Sequence, residues 1–152
     1  FGVAPGVFVY IFVLQDWPGL GWLLVLVYLL FAGFTPLFAG AIVMRNAAGY
    51  LVEGQTATGL VGVGRSEARV DNSAGANGDL RAEYLPGVFH FANSAAADAI
   101  AIGDIGAVCF AVDDQTVAKT NGSSTRSPAG IVEDVDATGV WVRFDEALTN
   151  AS

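Results

Sequence analysis

From Trp17 to Met44 the chain runs through 28 positions without a charge, and the centre of that run reads GWLLVLVYLLFAGF. So long an apolar stretch must leave water: it crosses a bilayer, or it is buried against protein. Three features turn the reading away from a membrane helix. Pro18 and Pro36 bracket the run, and proline ends or kinks helices. The run is rich in β-branched and aromatic residues, as is VFVYIFV at 7–13, which suits strands. No Lys or Arg flanks it before Arg45, so the charge asymmetry that orients a span is missing. No basic start precedes it, so it does not read as a cleaved signal peptide. Residues 1–37 are expected to form an apolar N-terminal arm buried against a neighbouring subunit. A bilayer span over residues 17–44 is the alternative.

The rest of the chain is an ordinary acidic body. Asp16 is the one charge in residues 1–44; all seven Lys and Arg follow it, within a net charge of −8 over 152 residues. Binding to a phosphate backbone needs a basic footprint, so nucleic acid is not expected as a partner. One cysteine excludes an internal disulfide and any multi-cysteine zinc site, and one histidine excludes a His-rich metal centre.

Beyond residue 38 short apolar runs alternate with Gly, Asn, Asp and Ser clusters, the pattern of an all-β domain. Strands are expected at about 40–45, 50–53, 58–65, 79–84, 87–92, 106–112, 115–119, 129–135 and 139–144. Asn46 to Gly49 (NAAG) and Asp136 to Gly139 (DATG) read as tight turns. Residues 71–78 and 120–127 read as longer loops, and Ser94 to Ile105 is the one place for a helical turn. The domain is expected to span 38–148, with 149–152 as a tail. An internal echo links Gly40-Ala41-Ile42-Val43 to Gly106-Ala107-Val108-Cys109 and Gly59-Leu60-Val61 to Gly130-Ile131-Val132. The spacing changes from 66 to 71, so a repeat would need an insertion. Two three-strand units closing one barrel would fit, and so would chance similarity.

Residues able to carry chemistry are few. His90 lies between Phe89 and Phe91 with no paired nucleophile or orienting acid, and reads as a surface or interface histidine. Cys109, inside AVCFAV, reads as a buried structural thiol. Asp113 and Asp114 point to opposite faces of a strand and read as an exposed turn. Asp134, Asp136, Thr138, Gly139 and Asp145 match the spacing of a calcium loop, but VWVRF at 140–144 alternates as a strand. A β-hairpin with an Asp-rich turn is therefore favoured over a cation site. Asn121-Gly122-Ser123 fits both a glycosylation acceptor and a plain turn. GLVGVG at 59–64 lies in a strand pattern with no helix after it, which disfavours phosphate binding. No catalytic, cofactor-binding or metal-binding residue is assigned. Trp141 is expected on the buried face of the last strand, with Val140, Val142 and Phe144 on the other.

Four segments carry a resemblance: RNAAGYLVEGQTATGLVGVG (45–64), RVDNSAGANGDL (69–80), GVFHFANSA (87–95) and DIGAVCFAVDDQTVAKTNGSSTRSPAGIVEDVDATGVWVRF (104–144). They resemble the head decoration, or capsid cement, proteins of Mu-like prophages and related tailed bacteriophages. The likeness covers about residues 38–144. It implies a small β-barrel-like module on the outer capsid surface of the virion. It further implies binding to the major capsid protein as a homo-oligomer, a trimer ahead of a dimer, with no catalytic residue and no cofactor. The apolar residues 1–37 depart from the polar, charged start of that family.

Overall fold

The computed structural model describes residues 36–152 and the backbone of Val27–Phe31. The rest of the expected arm, residues 1–26 and 32–35, lies outside the described residues. All nine expected strands form, and Val27–Phe31 adds a tenth. In chain order they are β1 (Val27–Phe31), β2 (Ile42–Asn46), β3 (Leu51–Glu53), β4 (Leu60–Ser66) and β5 (Leu80–Leu85). Then follow β6 (Gly87–Asn93), β7 (Val108–Ala111), β8 (Thr116–Ala118), β9 (Pro128–Val135) and β10 (Val140–Phe144). The helical turn expected within 94–105 is two 3-10 turns, Ala96–Asp98 and Ile102–Asp104. A short helix, α1 (Glu146–Ala151), takes in most of the expected tail, with Asp145 as its N-cap accepting from Leu148 N.

The strands close two barrels, in the orders β1-β3-β2-β4-β5 and β10-β6-β8-β7-β9. β1, within the segment read as an arm, pairs antiparallel with β5 along its length and parallel with β3. Only Pro86 separates β5 from β6, so the last strand of one barrel runs directly into the first strand of the next.

The two barrels share one topology. In each, the first strand is parallel to the third and antiparallel to the fifth, and the remaining neighbours are antiparallel. The register repeats as well. Val43 pairs with Gly64 and Cys109 with Gly130, so each partner is displaced by 66 positions. Both ladders then slip at the following step, between Val43 and Met44 and between Cys109 and Phe110. The entry turns match too: Gly40 N donates to Ser66 O at 2.7 Å, and Gly106 N to Val132 O at 2.8 Å. Gly40 and Gly106 have φ of 86° and 87°, where glycine avoids the strain a side chain would meet.

The internal echo is therefore a repeat with two corrections. The partner of Gly130 is Gly64, not Gly59, and no insertion is needed across β2, β3 and β4. Each unit has five strands and closes its own barrel, whereas the sequence suggested three strands sharing one.

Position by position the interiors correspond. Val43, Leu51, Val63, Ala82 and Tyr84 fill the first barrel, with Leu37 and Ala41. Cys109, Val117, Ala129, Val140 and Val142 hold the matching places in the second. Ile42, Met44, Tyr50 and Val52 are also buried, but in the second cluster rather than the first. The outer face of β2 and β3 thus packs into the join between barrels, and its burial supplies much of the force that holds them together. Gly62 permits the close approach of β4 to β9: a β-carbon there would stand 1.8 Å from Ala129 O. Across the same join Ser127 Oγ accepts from Leu60 N at 3.0 Å and donates to Ala57 O at 2.7 Å. Arg65 also lies over the Phe89 ring, 4.1 Å from its centroid.

Candidate functional site

Two surfaces of the second barrel gather the residues with chemical character. The first is the β9–β10 turn and the strand beside it. β6 and β10 pair antiparallel with His90 opposite Trp141, and both point outward. The expected face of Trp141 is inverted. Val140 and Val142 are fully buried and Phe144 nearly so, while Trp141 is 38% exposed. The face of VWVRF that carries Trp141 also carries the charged Arg143, whereas Val140, Val142 and Phe144 are all apolar, so the alternation itself points Trp141 outward. The indole N–H agrees, because a buried donor needs a partner. At the surface Trp141 Nε1 donates to Asp136 Oδ2 at 2.9 Å.

Asp136 is the hub of this corner. Its Oδ1 accepts from the Thr138 hydroxyl at 2.6 Å, from Thr138 N at 2.7 Å and from Gly139 N at 2.9 Å. The Thr138 hydroxyl and amide, then the Trp141 N–H, hold the carboxyl far below the usual carboxylate range. His90 Nε2 lies 3.4 Å from Asp136 Oδ1 and 3.3 Å from Thr138 Oγ1. The hydroxyl and the carboxylate meet the same ring nitrogen, so His90 does not relay a proton between them as a nucleophile's base would. Its ring stands edge-on to Trp141, with centroids 5.0 Å apart. The corner is a rigid polar clamp on an exposed indole.

The calcium-loop spacing does not become a site. Asp134 lies on β9 opposite Trp141, Asp136 is in the turn, and Asp145 caps α1 beyond the far end of β10. Among the described residues no group of three or more His, Cys, Asp or Glu is placed to hold a metal ion.

The second surface is the segment AAADAIAIGDIGA, residues 95–107. Ile102 is 73% exposed and Ile105 46%. Ala95, Ala96, Ala97, Ala101 and Ala107 are exposed as well. The two acids tie the segment down. Asp98 accepts from the Thr120 hydroxyl and from Arg126 Nη1, at 3.0 Å for the arginine, and both hold its carboxyl below the usual range. Asp104 pairs with Lys119 Nζ at 2.8 Å and accepts from Ala101 N, with the same effect, the lysine first. Ala96 adopts φ of 54°, an uncommon conformation for a residue with a side chain. A fixed apolar surface flanked by internally neutralised charges is suited to contact with protein rather than to chemistry.

The remaining candidates fall as follows. Cys109 is buried, and burial pushes its thiol up to about 12, which leaves it unreactive. Asp113 is exposed and Asp114 half-buried in the β7–β8 turn, where Asp113 Oδ1 accepts from Gln115 N. Asn121 is exposed and organises its own loop, its carbonyl accepting from Thr125 N and Arg126 N. Within GLVGVG the strand begins at Leu60; Gly59 turns the chain into it at φ of 74°, and Gly62 and Gly64 allow close backbone packing. Sequence reasoning missed the 95–107 surface as a unit. The sequence marks it only as the place for a helical turn, and the two ion pairs that tie it down reach residues at 119 and 126. Compared with protein-family models, with curated proteins and with solved structures, the chain matches none of them.

Proposed function

We propose that the chain is a structural virion protein that binds the outside of an icosahedral phage capsid and reinforces the major capsid protein lattice. The observation that carries this reading is the resemblance of residues 38–144 to head decoration proteins, through strings such as DDQTVAKT and RSPAGIV. The all-β body with apolar side chains held outward is consistent with it. A ligand that binds only the assembled shell stabilises that shell by mass action, and many copies multiply the effect. On this reading the protein is not an enzyme, and it needs partners rather than cofactors.

The membrane-anchor reading would have residues 17–44 cross a bilayer as a helix. β1 and the start of β2 fall within that stretch and pair as strands of the first barrel. Among the described residues no helix is long and apolar enough to cross a membrane.

The test is to add the full chain to purified, expanded phage shells stripped of decoration. The chain is expected to co-sediment with the shells and to raise their temperature of disruption. Shells that neither bind it nor gain stability would end this reading.

A further inference from the structure

The chain has six asparagines, and two of them precede glycine: Asn77-Gly78 and Asn121-Gly122. That dipeptide has a chemistry of its own. The amide nitrogen of the glycine can attack the side-chain carbonyl carbon of the asparagine. A glycine has no β-carbon to block the approach or to resist the backbone rotation it needs. The reaction requires a side chain free to turn and a glycine N–H free to react, so hydrogen bonds to either oppose it. The other four asparagines precede Ala47, Ser73, Ser94 and Ala151, whose side chains hinder the attack.

The structure separates the two sites. At Asn121 both reacting groups are held. Asn121 Oδ1 accepts from Ser124 N at 3.1 Å, and Gly122 N donates to Thr120 Oγ1 at 3.3 Å. The Asn121 backbone carbonyl accepts from Thr125 N and Arg126 N, each at 3.0 Å. Thr120 and Arg126 are tied in turn to Asp98. Asn77 is exposed, and among the described residues neither its side chain nor Gly78 N has a hydrogen-bond partner. Asn77 and Gly78 are the central residues of a turn closed by Asp79 N, which donates to Ala76 O at 3.1 Å.

We propose that Asn77 is a site of spontaneous self-modification, converted through a cyclic imide with Gly78 into aspartate and isoaspartate, while Asn121 is preserved. Gly78 N gives up its proton to solvent base and bonds to Asn77 Cγ. The bond from Cγ to Nδ2 breaks, and Nδ2 takes a proton from water and leaves as ammonia. Water then opens the ring. Cleavage between the imide nitrogen and Cγ gives aspartate. Cleavage between that nitrogen and the backbone carbonyl carbon gives isoaspartate, whose chain runs through Cγ. Either route takes up one water, releases one ammonia and leaves a carboxylate that is charged at neutral pH. Isoaspartate also adds a carbon to the backbone, in a turn pinned at its start. Ala76 N donates to Asp79 Oδ2 at 2.7 Å, and Ala76 O accepts from Asn72 Nδ2 at 2.8 Å. The lengthened link does not fit between Ala76 and Asp79, so the loop from β4 to β5 loosens there while both barrels stay closed. The proposal stands on the geometry of the two loops and does not depend on the shell-binding reading.

Incubation of the full chain in mildly alkaline, oxygen-labelled water tests it, with peptide mass mapping to locate label and isoaspartate. Residue 77 is expected to convert at least about tenfold faster than residue 121, where two hydrogen bonds must open first. In urea both loops unfold, and the two rates should become similar. Asn77→Gln should take up no label at that position, because its longer side chain closes a ring less readily. Amide exchange of the converted chain should lose protection at Asp79 and keep it in the strands. A folded chain whose Asn77 stays intact, an Asn121 that converts as fast, a rate ratio unchanged by urea, or undiminished protection at Asp79 would each overturn the proposal.

Discussion

The two barrels have the same strand order and register, yet few of the same residues inside. Leu51 and Val63 in the first correspond to Val117 and Ala129 in the second, and Ala82 and Tyr84 to Val140 and Val142. A small and a large residue on one strand are matched by two of middle size, which conserves volume more than identity. What the halves hold in common is backbone. Both have a glycine entry turn, the same slip in the second strand and a glycine under the last strand. A β-carbon on Gly64 would stand 2.4 Å from Leu85 O, and one on Gly130 would stand 2.6 Å from Arg143 O. Topology here is specified by turns and close approaches, and the core has only to fill the space they leave.

The largest expected effect breaks the correspondence at its first strand. Removing residues 1–37 takes β1 away and leaves β5 and β3 with open edges, as removing β6 would do to the second barrel. Amide exchange should then lose protection throughout the first barrel, and the exposed edges should promote aggregation. Removing residues 1–26 spares β1 and should leave protection intact. If the shorter chain keeps a protected first barrel, β1 is not a necessary member of it.

A smaller effect sharpens the correspondence. Gly64→Ala and Gly130→Ala push against equivalent carbonyls, so each should cost about 2 kcal/mol in urea unfolding. Costs that differ by more than about 1.5 kcal/mol would show that the two close approaches are not mechanically alike.

The smallest effect lies where the halves differ most, in the connection to the fifth strand. The first barrel uses a long loop after β4, folded around the buried Asn72, whose Nδ2 donates to Ala76 O. The second uses a tight turn built on Asp136. Because the folded state holds this carboxyl below its usual value of about 3.9, it contributes stability above that value. The contribution fades as pH falls toward the lower folded value. Asp136→Asn should therefore lower stability near neutral pH and flatten the loss between about pH 5 and 2. Unfolding midpoints of both proteins across that range check this, and parallel curves would remove Asp136 as the cause.

Much of this fold is legible in the sequence because glycine and asparagine punctuate short apolar runs. Nine strands follow from that punctuation. β1 does not, because VYLLF lies in a charge-free run where no polar face marks the alternation. The repeat is visible at Gly40 and Gly106, but GLVGVG offers three glycines as the partner of Gly130. Only the pairing of Gly64 with Val43 chooses among them. The outward face of Trp141 is legible at Arg143, which shares it, but the indole's partner Asp136 is not, lying five positions away in a turn whose shape sequence does not fix. The 95–107 surface depends on partners still farther along the chain.

The single residue Pro86 between β5 and β6 has a consequence for synthesis. Each barrel closes only when its fifth strand pairs with its first, so no barrel is complete while its last strand remains inside the ribosome. The first barrel can close as soon as residue 85 has emerged, and in doing so it anchors Gly87 at the start of the next. The second barrel then grows outward from a strand already fixed at one end, with the buried face of β2 and β3 waiting as the wall against which it assembles. A tether of one residue leaves little freedom to exchange strands with another nascent chain, and so favours completion within one molecule.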